Sequence, residues 1–116
     1  MDELVKKHLQ DMLTAIEEIE SFFEGKPKQF ERFCANLCLR RAIERNIEII
    51  GEAMNRILKM DNNVAITNSR KIVDARNYII HGYDSLSTDI LWSMVVNHLP
   101  KLKEEVLALL CKDMEM

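Results

Sequence analysis

Segment 76–83 carries the side chains of this chain that are best suited to chemistry. It reads Arg-Asn-Tyr-Ile-Ile-His-Gly-Tyr and closes an otherwise apolar helical pattern. On a helix, Ile72, Arg76, Ile79 and Tyr83 recur at spacings of four, three and four, which is typical of a core-facing stripe. Arg76 is therefore expected on or beside a buried surface, where a guanidinium group needs an anionic partner.

Two polar side chains lie next to this arginine in the helical pattern. Asn77 and His81 are four residues apart and share one helical face. An arginine, an amide and an imidazole thus converge near one helix end. The arrangement suits a phosphate group, because a guanidinium fork matches phosphate oxygens and histidine exchanges protons near neutral pH.

A purely structural interpretation of the same residues is also open. A histidine before a glycine is an ordinary helix end, where a cationic side chain is stabilising. Glu44, Glu48 and Glu52 form a ladder at four-residue spacing on the preceding helix. Like charges at this spacing are destabilising, so at least one of these carboxylates is expected to face a cation. Arg76 is the obvious candidate, paired with Glu48 or Glu52.

The composition predicts a single helical domain over residues 1–116. The chain is 47% hydrophobic and 30% charged, with only three glycines and two prolines, which leaves room for a few long helices. It is long enough to bury a core without disulfides or metals. It has no apolar run that could span a membrane and no apolar signal-peptide segment, so a cytoplasmic protein is expected.

The net charge of −3 and the pI near 5.6 argue against generic binding of nucleic-acid backbones. Positive charge can still be concentrated locally, either on a strip formed by Arg40, Arg41 and Arg45 or in a cleft between two subunits. The three cysteines favour neither a disulfide framework nor a metal site, and Cys34 and Cys38 are expected to be small buried hydrophobes.

The apolar periodicity predicts four helices and no strand. The first covers residues 2–24, and the second runs without interruption over residues 29–60, where Gly51 marks either a bend or a close approach by another backbone. The third begins near residues 67–69 and ends at His81, with Gly82 as its stop. The fourth begins at Ser87 or Thr88 and should kink at Pro100. The predicted fold is an all-α, up-and-down four-helix bundle.

Three blocks of residues carry a resemblance to a known family. Residues 45–53, residues 75–83, and the short segments 91–92 and 99–102 together resemble the HepT-like branch of the HEPN superfamily. Members of this family are all-α proteins that usually form symmetric dimers. Many of them are ribonuclease toxins partnered with a small nucleotidyltransferase antitoxin of the MntA type.

The resemblance implies a role for each residue of the motif. The family pattern places the catalytic pair on Arg76 and His81, with Asn77 beside the arginine. Glu48 and Glu52 are supporting candidates because of their charge and spacing on the preceding helix, not because of the family pattern. The resemblance also implies that the antitoxin silences the toxin by attaching AMP to Tyr83, as in a type VII-like toxin–antitoxin system.

RNA cleavage without a metal or other cofactor needs a base for the ribose 2′-OH and a cation for the phosphorane. His81 and Arg76 can supply these two functions, and the product would carry a 2′,3′-cyclic phosphate. A complete site can require two copies of the motif across a twofold axis, hence a homodimer. The alternative is a non-catalytic helical dimer that binds a nucleotidyltransferase partner or a nucleotide.

Overall fold

The computed structural model describes residues 1–81 and 84–114, and the side chains within them apart from those of residues 84–87. All regular structure in these ranges is helical, which confirms the all-α prediction. The elements are α1 Glu3–Ser21, α2 Phe30–Ala35, α3 Leu37–Met60, α4 Ser69–His81, α5 Asp84–Ser93, a π-helical turn Met94–His98, and α6 Leu99–Met114. The bundle is built from α1, α3, α4 and the combined segment from α5 to α6.

Helix α1 begins at a capped end and contributes one side of the core. The carboxylate of Asp2 accepts a hydrogen bond from the backbone N–H of Leu4 at 2.7 Å, which satisfies one of the free donors of the first turn. Leu9, Met12 and Ile16 are almost completely buried at helical spacing, and this face packs on α3. The side chain of His8 lies on the same buried face.

The second predicted helix is in fact two helices, so the prediction of one uninterrupted helix over residues 29–60 was wrong. The short α2 ends at Ala35, and Asn36 adopts an extended conformation with φ −108° and ψ 98°. The side-chain oxygen of Asn36 then accepts a hydrogen bond from the N–H of Leu39 at 3.0 Å and caps α3. An asparagine side chain that bonds to nearby backbone favours such a break over continuation of the helix.

An aromatic cluster ties the short α2 to the fourth segment. The ring of Trp92 on α5 lies 5.2 Å from that of Phe33, 5.9 Å from that of Phe30 and 6.1 Å from that of Phe23, centroid to centroid. These separations are within the range of favourable ring–ring contact. The loop after α1, the helix α2 and the helix α5 are thereby held together.

The fourth predicted helix begins earlier than expected and is interrupted before its proline. Its backbone is helical from Asp84, not from Ser87 or Thr88, because serine, threonine and aspartate favour caps without being excluded from a helix interior. A π turn precedes Pro100, and in it the N–H of Leu99 bonds to the carbonyl of Met94. The kink expected at Pro100 itself stays a prediction. Pro100 itself has no N–H to give to the helix. The predicted stop at Gly82 lies outside the described residues.

Two further expectations concern the surface of the bundle. Within the described ranges, none of the helices combines the length and the apolar character that crossing a bilayer requires. The prediction that Cys34 and Cys38 are buried was wrong, since Cys34 is half-buried and Cys38 is exposed. Both lie at the break between α2 and α3, where the chain turns at the edge of the core.

Candidate functional site

Arg76 is held against α3 by an unusually close approach of the two helices. A Cβ atom at Gly51 would overlap the Cβ of Arg76 and would lie only 3.1 Å from the backbone oxygen of Ile72. The glycine therefore marks a close approach, one of the two possibilities that the sequence left open. The Arg76 side chain is 26% exposed, so its stem is covered by α3 while its guanidinium reaches the surface.

Two acceptors fix the orientation of this guanidinium. Its Nη2 atom lies 2.7 Å from a carboxylate oxygen of Glu52, and its Nη1 atom donates to the side-chain oxygen of Asn77 at 3.1 Å. A guanidinium carries five N–H donors, so three remain for another acceptor. The predicted contact between Arg76 and the acidic ladder is confirmed for Glu52, in agreement with the structural interpretation. The same contact also orients the free donors.

Each carboxylate of the ladder has a cationic neighbour. Glu48 accepts a hydrogen bond from Arg45 at 3.1 Å, and Glu52 accepts one from Arg56 at 3.0 Å in addition to its contact with Arg76. Glu44 lies 3.8 Å from Arg41. The expected basic strip on α3 is therefore largely neutralised by the glutamates one turn further along.

A surface groove of about 460 Å³ opens between α1, α3 and α4. Arg76 and Ile80 line it from α4, and the pairs Arg45–Glu48 and Arg56–Glu52 line it from α3. The groove thus contains Arg76 together with both glutamates that were predicted to support it. Among the described residues, neither Asn77 nor His81 belongs to its lining.

His81 is the last residue of α4 and is exposed to solvent. Five residues separate it from Arg76, which on an α-helix corresponds to about 7.5 Å along the axis and about 140° around it. Within a single subunit, Arg76 therefore projects toward the groove, whereas His81 projects from a different side of the same helix. Asn77, four residues before His81, shares the face of the histidine and contacts the arginine.

His8 is a groove residue to which the sequence assigned no function. It is 6% exposed, consistent with a structural residue, and lines the groove beside Lys7 and Asp11. A usable signal was present, because His8 interrupts the apolar stripe of α1 between Val5 and Met12. That stripe could not reveal which residues of other helices the ring would meet.

Tyr83, the expected acceptor of AMP, lies outside the described residues. The described part of the chain holds no cluster of three or more histidine, cysteine, aspartate or glutamate side chains arranged to bind a metal ion.

Comparison with known proteins agrees with the resemblance seen in the sequence. Residues 12–109 match the family model described as ribonuclease HepT-like. A protein of Methanocaldococcus jannaschii named "Putative RNase MJ1380" is 34% identical over 104 residues, covering 88% of this chain and 93% of the relative. "Probable ribonuclease HepT" of Thermococcus cleftensis is 32% identical over 102 residues, covering 84% and 88%. No solved structure gave a significant match.

The helical bundle, with an arginine and a histidine five residues apart on its fourth α-helix, is that of a HEPN-superfamily protein. Within that superfamily, the chain belongs to the ribonuclease HepT-like family.

Proposed function

We propose that this protein is a metal-independent endoribonuclease in which Arg76 and His81 act on an RNA phosphodiester. The observation that carries the proposal is the orientation of Arg76 by Glu52 and Asn77, with donors left over, on the helix that ends at His81. The relatives' names, "Putative RNase MJ1380" and "Probable ribonuclease HepT", support the same reaction class.

The proposed reaction is an internal transfer within the RNA strand. His81 takes the proton of a ribose 2′-OH, and the 2′-oxygen attacks the adjacent phosphorus. Arg76 donates hydrogen bonds to the non-bridging oxygens as negative charge develops on them. The bond to the 5′-oxygen breaks, this oxygen receives a proton from water or a protonated histidine, and a 2′,3′-cyclic phosphate remains.

In this proposal the complete site is formed by two subunits. Because Arg76 and His81 leave α4 about 140° apart, one copy of the motif does not direct both side chains to a common point. A homodimer with its motif helices near the twofold axis brings a second arginine and a second histidine to the cleft. Positive charge would then collect there although the chain as a whole is acidic.

The proposal places the protein in the cytoplasm as the toxin of a type VII-like toxin–antitoxin pair. A nucleotidyltransferase antitoxin of the MntA type would silence it by adding AMP to Tyr83, two residues after His81. The added phosphate and nucleoside would occupy the position of the substrate beside the catalytic residues.

A second candidate is a helical dimer that binds a nucleotidyltransferase or a nucleotide and cleaves nothing. The observation in its favour is the short Arg76–Glu52 ion pair, which already satisfies part of the guanidinium. Incubation of the pure protein with end-labelled RNA, with and without EDTA, separates the two. Fragments ending in 2′,3′-cyclic phosphate in both samples support the enzyme, and intact RNA in both supports the binding protein.

A further inference from the structure

His8 is the unexplained polar residue of the groove. It is 6% exposed, and no group in the described part of the chain forms a hydrogen bond with its ring. A buried polar side chain without a partner is costly, and most such groups in proteins are satisfied. The His8 ring therefore offers a hydrogen-bonding group that the described residues leave unused.

The ring is not sealed inside the core. Arg40 Nε is the one side-chain nitrogen or oxygen in the described residues that is fully enclosed without a partner. The ring nitrogens of His8 are not among the fully enclosed unpaired atoms of the described residues, and His8 lines the groove. A ligand in the groove would therefore lie against His8.

The charge of the groove favours an anion. Lys7, Arg45, Arg56 and Arg76 face three carboxylates, and every one of those carboxylates is already paired within the groove. Glu52 is shared between two arginines, so one positive charge is left in excess. Arg76 also keeps three N–H donors that no described residue uses.

We propose that this groove is a phosphate subsite in which His8, together with Arg76, holds one phosphodiester of the bound RNA strand. The inference rests on the proposed function in taking RNA as the ligand, and it assigns a binding contact to a residue outside the Arg76–His81 motif. A groove of about 460 Å³ is larger than a phosphate group alone and can admit part of the adjoining nucleotide. The subsite would fix the strand relative to the arginine.

The test uses binding, so that it does not depend on cleavage. A 2′-O-methyl RNA oligonucleotide lacks the attacking hydroxyl, and its Kd is measured for the full-length protein and its variants. His8→Phe keeps a flat ring but removes hydrogen bonding, and it should weaken binding roughly tenfold or more. His8→Gln retains a donor and should recover part of the affinity. His98→Phe, at a histidine outside the groove, should leave Kd unchanged.

A second measurement guards against loss of fold in the variants. Ring signals of the three histidines in the unmodified protein are followed by NMR as the oligonucleotide is added. The His8 signals should shift on binding, whereas those of His98 should not. AMP is titrated in parallel to separate a strand phosphate from a free nucleotide.

The outcomes separate this inference from the proposed function. If wild-type protein cleaves ordinary RNA but His8→Phe binds the inert oligonucleotide as tightly as wild type, the inference is overturned and the enzyme stands. If binding depends on His8 but no RNA is cleaved, the subsite stands and the proposed activity fails. The inference would also be overturned if the NMR signals of the His8 ring do not shift when the oligonucleotide is added, or if the protein binds AMP but not the oligonucleotide.

Discussion

Gly51 of α3 and Arg76 of α4 are packed so closely that a methyl group at position 51 would overlap the Cβ atom of the arginine. The same methyl group would lie 3.0 Å from the Cγ atom of Arg76. The stem of Arg76 thus occupies the space that a side chain at position 51 would need. Helix packing and the position of the candidate catalytic guanidinium depend on one residue.

Gly51→Ala should destabilise the protein. Alanine gains about 1 kcal/mol of helix propensity over glycine, but overpacking of a close helix contact costs about 1–3 kcal/mol. We expect the overpacking cost to exceed the gain in helix propensity, because the new methyl group would contact the rigid Cβ of Arg76 and the backbone oxygen of Ile72. Urea unfolding should show a lower midpoint for Gly51→Ala and a lower one still for Gly51→Val. A midpoint above that of wild type would refute the close packing of α3 on α4.

Glu52→Gln should impair activity more than stability. The Arg76–Glu52 pair is partly exposed, at 26% and 40% for the two side chains, and pairs of this kind contribute about 0.2–1 kcal/mol. Loss of the carboxylate frees the guanidinium, and misplacement of a catalytic group can cost roughly tenfold to a hundredfold in rate. Cleavage kinetics should therefore show a lower kcat with little change in the unfolding midpoint.

The matched control for this substitution is Glu44→Gln. Glu44 belongs to the same acidic ladder but pairs with Arg41, away from the groove. It should leave kcat unchanged. Equal losses in the two variants would show that Glu52 has no specific role in positioning Arg76.

Much of the fold could be predicted from apolar periodicity, because long amphipathic helices repeat one physical requirement many times. The break at Asn36 could not, since Phe33 and Leu37 continue the apolar spacing across it. A single side-chain cap outweighs the pattern there. The start of the helix at Asp84 was missed for a similar reason, because Ser87 and Thr88 look like caps in isolation.

The candidate site was only partly predictable. The Arg76–Glu52 contact followed from charge logic, since a half-buried guanidinium and a ladder of carboxylates on the adjacent helix need each other. The groove could not be predicted in this way, because it is formed where three helices pack together and no local sequence pattern indicates which residues of those helices become neighbours. His8 is of interest because it lines the groove together with residues of α3 and α4, which are far from it in the sequence.

If the site is composite, two inactive variants should complement each other. Heterodimers of an Arg76→Ala subunit with a His81→Ala subunit contain one cleft with both wild-type side chains, provided that these come from opposite subunits. Mixing after subunit exchange should restore up to about a quarter of the wild-type rate, because half of the dimers are heterodimers and each of them keeps one of two Arg76–His81 pairs. Light scattering on the same sample should give the mass of a dimer. A monomeric mass at micromolar concentration, or no recovery of activity, argues against a site shared between subunits.

Tyr83→Phe should make the protein insensitive to a nucleotidyltransferase antitoxin. The substitution removes the hydroxyl that would accept AMP and leaves Arg76 and His81 in place. After co-expression with such an antitoxin, mass spectrometry should find one or more AMP additions on the wild-type Tyr83 peptide and none on the variant. Tyr78, half-buried on α4, is the internal control. Modification of Tyr78 instead, or of neither tyrosine, contradicts the proposed regulation.

RNA cleavage by variants of the motif shows whether Arg76 and His81 carry out the reaction without a metal. Single-turnover rates on labelled RNA are measured in EDTA for wild type, Arg76→Ala, His81→Ala and the control Arg70→Ala, an exposed arginine on the same helix. We predict that wild type and Arg70→Ala cleave equally in EDTA. Each motif variant should lose roughly a hundredfold or more while its circular dichroism stays helical. Cleavage that survives both motif substitutions, or that EDTA abolishes in the wild type, would contradict the account.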